Sequence, residues 1–103
     1  MNPHERIDRW SLDMMREIVA RIDADPNRRG LAHAGAIARR WYAQNPNEAV
    51  REWLVLLECP WEEVRAYLLD EGDEGQRLRS SAPFCGILSP QERLEVFRRH
   101  RAS

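Results

Sequence analysis

Proline at positions 26, 46, 60 and 90, each following an Asp, Asn, Cys or Ser, is the feature that most limits what this chain can fold into. Proline disfavours helical geometry in the residue before it and fits the first turn of the helix after it. Each of these sites therefore ends one helix or starts another. Between them the apolar residues recur at steps of three and four, which is helical spacing. Ile7, Trp10, Met14 and Ile18, with Leu12, Met15, Val19 and Ile22 one face over, predict a wide-faced amphipathic helix over 3–23. Leu31, Ala34, Ala38, Trp41 and Tyr42 predict a second over 28–44, whose Ala- and Gly-rich middle offers a smooth surface for close helix approach. A third over 46–58 ends in the apolar run Trp53, Leu54, Val55, Leu56, Leu57, and so belongs near the centre. A fourth over 60–71 carries Glu62 and Glu63 in its first turn, where they favour the positive end of the helix dipole. Ser89, Pro90, Gln91, Glu92 reads as a capping box opening a last helix over 90–100, with Leu94 and Phe97 turned inward. Asn27 and Asn45 are the expected caps of the second and third helices.

The segment 72–88 departs from this logic. Three glycines, a proline and two adjacent serines break the helical pattern, yet Leu78, Phe84, Ile87 and Leu88 are spaced through it. A solvated linker has little use for such residues. The expectation is an ordered loop lying on the core, with one helical turn near 76–79. The whole is then an all-α single domain over 1–103, an irregular bundle of about five helices. A chain of 103 residues is long enough to bury one core without staples.

No run resembles a signal peptide or approaches the ~20 apolar residues of a membrane span, which predicts a cytoplasmic protein with no membrane contact. Cys59 and Cys85 belong to no CxxC pattern and read as reduced thiols. All 16 basic residues are arginine, a usage that a GC-rich, bacterial-like coding bias explains. Their distribution is uneven. Residues 58–74 hold seven acids against Arg65, whereas residues 75–103 hold six arginines against Glu92 and Glu95. An acidic block beside a basic tail can dock on itself, on a second copy or on a partner.

Few residues carry a chemical signature. The turn between Glu52 and Leu69 loosely looks like a DNA-binding helix-turn-helix, but Leu54 and Glu58 stand where a small residue and a glycine belong. Its second helix would also bring Glu62 and Glu63 toward phosphates. A plain helical hairpin over 50–69 is the simpler reading. The pairs Arg28/Arg29, Arg39/Arg40 and Arg98/Arg99 could form a phosphate surface if the fold gathered them, or could be solvated charge. His4, His33 and His100 share no helix, so no metal site is expected, and no phosphate loop or other cofactor signature is present.

The segment 77–86 is the most suggestive. Arg77, Arg79, Ser80 and Ser81 could hold a carboxylate or phosphate, Phe84 could meet a partner's apolar side chain, and Cys85 could be an exposed thiol. The competing account pairs Arg77 and Arg79 with the acids just before them and anchors Phe84 in the core. The functional expectation is a small helical protein-interaction or regulatory module, not an enzyme, acting on a protein partner or on a second copy. Two alternatives stand beside it: nucleic-acid binding through the Arg-rich C-terminus or the 50–69 hairpin, and a small enzyme or ligand-binding protein centred on 77–86.

Overall fold

The computed structural model describes residues 3–102, with side chains from 9 to 99. Among them are six helices and no strand: α1 (Pro3–Ala24), α2 (Arg29–Gln44), α3 (Glu48–Leu56), α4 (Trp61–Leu68), α5 (Asp73–Arg79) and α6 (Pro90–Ala102). None is long and apolar enough to cross a membrane. The all-α class holds, with one helix more than the sequence suggests.

α1 is the hub because its apolar face is wide enough to meet several neighbours. Leu12, Met15, Ile18, Val19 and Ile22 are all buried, and the helix packs against α2, α4, α5 and α6. The most extensive pairing is between α2 and α3, where Ala34, Gly35 and Ala38 present the smooth surface that lets a second helix come close. Trp53 of α3 and Val64 and Leu68 of α4 are fully buried, and Leu78, Phe84 and Leu88 join the same core. The segment 72–88 therefore lies on the core as expected, but it is only partly a loop.

Its helical part, α5, depends on a side chain outside it. The Asp70 carboxylate accepts the N–H groups of Gly72 at 3.2 Å and Gly75 at 3.0 Å, satisfying donors that a short helix would leave bare. Glycine is required at position 75, since a Cβ there would sit 2.0 Å from the Asp70 carbonyl oxygen.

Two expected caps shift by two residues each. Asp25 takes the role assigned to Asn27: its carboxylate accepts from the N–H of Asn27 (3.1 Å) and of Arg29 (2.9 Å). The chain then enters α2 through Arg28 in the left-handed region (φ 48°), which swings the guanidinium back over the end of α1. Its Nη1 donates to the carbonyls of Ile22, Asp23 and Asp25 at 2.8–3.0 Å, placing a cation on the negative end of the dipole. Asn45 closes α2, donating its N–H to Trp41 O at 2.8 Å, and Asn47 caps α3 by accepting from Val50 N–H at 3.0 Å. The Ser89–Glu92 capping box forms as its sequence predicts, with reciprocal bonds of 2.9 and 3.1 Å.

α6 is rotated from the expected orientation. It touches α1 alone among the major helix contacts, and Val96 is the residue it buries. Leu94 lies about 160° around the helix from Val96. Leu94 and Phe97 are therefore 44% and 43% exposed instead of inward.

Candidate functional site

The residues of the 77–86 segment are directed mostly into the fold. Arg77 forms a fork on Glu52, Nη1 to Oε1 at 2.7 Å and Nη2 to Oε2 at 3.0 Å, while its Nε donates to Glu74 at 3.1 Å. These bonds hold both carboxyls below their usual range, and the two carboxylates push the guanidinium pKa up. Arg79 is 6% exposed, and its Nη1 donates to the carbonyls of Leu68 and Asp70. It thus finishes α4 as Arg28 finishes α1. Ser80 Oγ donates to Arg77 O at 2.6 Å, and Ser81 is half-buried. Phe84 is 2% exposed and stands edge-on to Trp53, with ring centroids 5.6 Å apart. Cys85 is exposed, as are Arg77 and Ser80, and its thiol is free; its carbonyl oxygen lies 3.2 Å from His33 Nε2, a hydrogen bond in the Nε2–H tautomer. Gly86, at φ 87°, makes that approach, because a Cβ would sit 3.3 Å from the same nitrogen.

The arginine pairs are not gathered into one surface. Arg28 is turned onto the end of α1, and Arg29 pairs with Asp25 at 3.1 Å. Arg99 reaches Glu17 at 3.0 Å, whereas Arg39, Arg40 and Arg98 have no ion pair among the described residues. In the α3–α4 hairpin Val64 is fully buried, and Glu62 and Glu63 face outward as a helix-turn-helix reading would have feared. Burial, with Glu63 nearby, pushes the Cys59 thiol pKa up, which makes it a poorer nucleophile. Among the described residues no group of three His, Cys, Asp or Glu is placed to hold a metal. His4, His100 and Arg101 lie outside the described side chains.

The open surface lies elsewhere, on the edge formed by α1 and α6. The two helices run antiparallel: Arg21 pairs with Glu92, Glu17 with Arg99, and Trp10 meets Phe97 edge-on at 6.4 Å. A groove of about 470 Å³ between them has Val96 and Leu88 as its floor and these ion pairs as its walls. Glu95 and Arg98 line it too, without an ion pair among the described residues, but four of its six charged side chains are already matched across it.

The outer face of α6 is different. At 3.6 residues per turn Pro90, Leu94 and Phe97 fall in one stripe, with Arg93 and Arg98 on either side. Arg93 and Arg98 are exposed and have no ion pair among the described residues. At the end of the stripe the Trp10 Nε1–H is buried without a hydrogen-bond partner among the described residues. Sequence reasoning missed this face because α6 carries only three large apolar residues. They divide between two stripes, and periodicity alone does not say which is buried. The usable signal was the second stripe, Glu92, Val96 and Arg99, whose charges have complements at Arg21 and Glu17 one helix away.

Comparisons of the chain with protein-family models, with curated proteins and with solved structures give no match.

Proposed function

We propose that this chain is a small cytoplasmic protein-docking module that receives its partner on the outer face of α6. The observation that carries this reading is the paired exposure of Leu94 and Phe97, three residues apart on one helix face. Scattered single apolar residues on a surface are ordinary, but neighbouring ones flanked by arginines that have no ion pair among the described residues have the composition of an interface centre and rim. Arginine and aromatic residues are also the types that most often dominate binding energy. Two free thiols are in keeping with a reducing compartment.

A photocrosslinking amino acid placed at position 94 or 97 in the native cell tests it. A discrete protein adduct at both positions, absent when the probe replaces exposed Arg51, is the expected result. No adduct at either position contradicts the reading.

A second reading, nucleic-acid binding, draws on the exposed arginines at positions 9, 39, 40, 93 and 98, which have no ion pair among the described residues. The apolar centre of the α6 stripe argues against it, since a phosphate backbone is held by contiguous cations. No mobility shift of duplex DNA at about 50 mM salt is expected; a shift that falls steeply with salt would favour this second reading.

A further inference from the structure

We infer that the occupant of the α6 face is an acidic amphipathic helix of another protein: two or more apolar residues at heptad spacing, flanked by Asp or Glu. The inference rests on the docking reading above and adds the chemistry of the partner to it.

The spacing of Pro90, Leu94 and Phe97 is four, then three, the seam spacing of two helices lying along one another. A shallow stripe with two protruding side chains suits the face of a second helix, whose own residues fill the spaces around Leu94 and Phe97. The positions flanking such a seam set partner choice by charge. Here they are Arg93 and Arg98, and neither has a carboxylate of its own chain within ion-pair distance among the described residues. The acids of α6 do not neutralise them. Glu92 is turned to Arg21 on the other side of the helix, and Glu95 lies beyond Arg98, away from the seam.

The same flanks argue against a second copy lying α6 to α6. Since both sides of the stripe are arginine, pairing in either direction sets arginine against arginine, and like charges across a seam are costly. A membrane surface would accept the arginines but would gain little from two apolar side chains on a helix this short of them. An acidic helix answers both the apolar centre and the charged rim.

Two synthetic peptides of about 20 residues test this, with leucine at the seam positions in both and either glutamate or lysine at the flanks. The full chain should bind the glutamate peptide at least about tenfold more tightly than the lysine peptide, with affinity falling as salt rises. Leu94→Ser with Phe97→Ser should abolish binding. Arg93→Gln with Arg98→Gln should weaken the glutamate peptide about tenfold and flatten its salt dependence. These positions are exposed, and an unchanged thermal midpoint would show that each variant still folds.

Equal binding of the two peptides, or binding of neither, overturns the inference. So does a self-associated chain that becomes monomeric in the Leu94/Phe97 variant, or binding to phosphatidylserine vesicles lost in that variant. If neither peptide binds but the probes at 94 and 97 still capture one protein, the partner chemistry is wrong and the docking reading stands. If the captures fail as well, both fall.

Discussion

The strap over 70–88 and the α1–α6 edge are built from the same residue types and use them in opposite ways. Each sets arginines on a helix close to a phenylalanine: Arg77 and Arg79 on α5 ahead of Phe84, and Arg93 and Arg98 around Phe97 on α6. In the strap every one of these groups meets its complement: Arg77 meets Glu52, Arg79 meets the last carbonyls of α4, and Phe84 meets Trp53. At the edge the complements are incomplete: Arg93 and Arg98 have no ion pair among the described residues, Leu94 is 44% exposed, and Phe97 stays 43% exposed although one edge of its ring meets Trp10. The indoles repeat the contrast. Trp53 Nε1 donates to Leu78 O at 3.0 Å and Trp61 Nε1 to Asp23 at 2.7 Å, while the buried Nε1–H of Trp10 has no partner among the described residues. What distinguishes a seal from a docking face is what stands opposite each side chain, not which side chains are present.

The largest effect that could break this comparison is the unequal worth of the two phenylalanines. Phe84→Ala should cost about 3–5 kcal/mol in chemical denaturation, the usual loss for a buried aromatic ring, and Phe97→Ala under about 1 kcal/mol. Equal costs would dissolve the distinction. Next is Arg79→Met, which leaves the carbonyls of Leu68 and Asp70 without their donor in a buried place and should cost about 1–3 kcal/mol. Arg98→Gln, measured in the same way, should stay within about 0.5 kcal/mol.

The smallest effect concerns pH. The carboxyls of Glu52 and Glu74 have folded-state pKa values below their unfolded ones, chiefly through the hydrogen bonds from Arg77. Their stabilisation is therefore present above the ordinary Glu value of about 4.3 and is lost as pH falls through the lower folded values. Both sites are partly exposed, so the change is modest. Arg77→Gln should lower the neutral plateau of a stability–pH curve modestly and flatten its acid limb by the same amount, so that variant and parent converge in acid, whereas an acid limb as steep as the parent's would show that Arg77 does not hold these carboxyls.

Local rules were enough for much of the fold. The steps of three and four in α1, the smooth middle of α2 and the reciprocal cap at Ser89 and Glu92 could be read directly, because each depends on residues within a turn or two. The exceptions depend on reach. Asp70 starts α5 from outside it, and Asp25 displaces Asn27 as a cap because Arg28 turns left-handed and returns to α1. For the site, residue type identified Arg77, Arg79 and Phe84 as candidates, but their complements lie on α3 and at the end of α4, beyond any local pattern. Leu94 and Phe97 were recognised as apolar and assigned to the wrong side of α6, since only the fold says that α1 meets Val96.

The chain contains two phenylalanines, one in each region, which permits a direct test. Fluorophenylalanine in place of both gives two fluorine signals, assigned by single Phe→Leu variants. A soluble paramagnet should broaden the Phe97 signal and spare that of Phe84, and the glutamate-flanked peptide should shift the first and leave the second unmoved. A broadened Phe84, or a Phe97 signal indifferent to both additions, would contradict the claim that the strap is a seal and the α6 face the open surface.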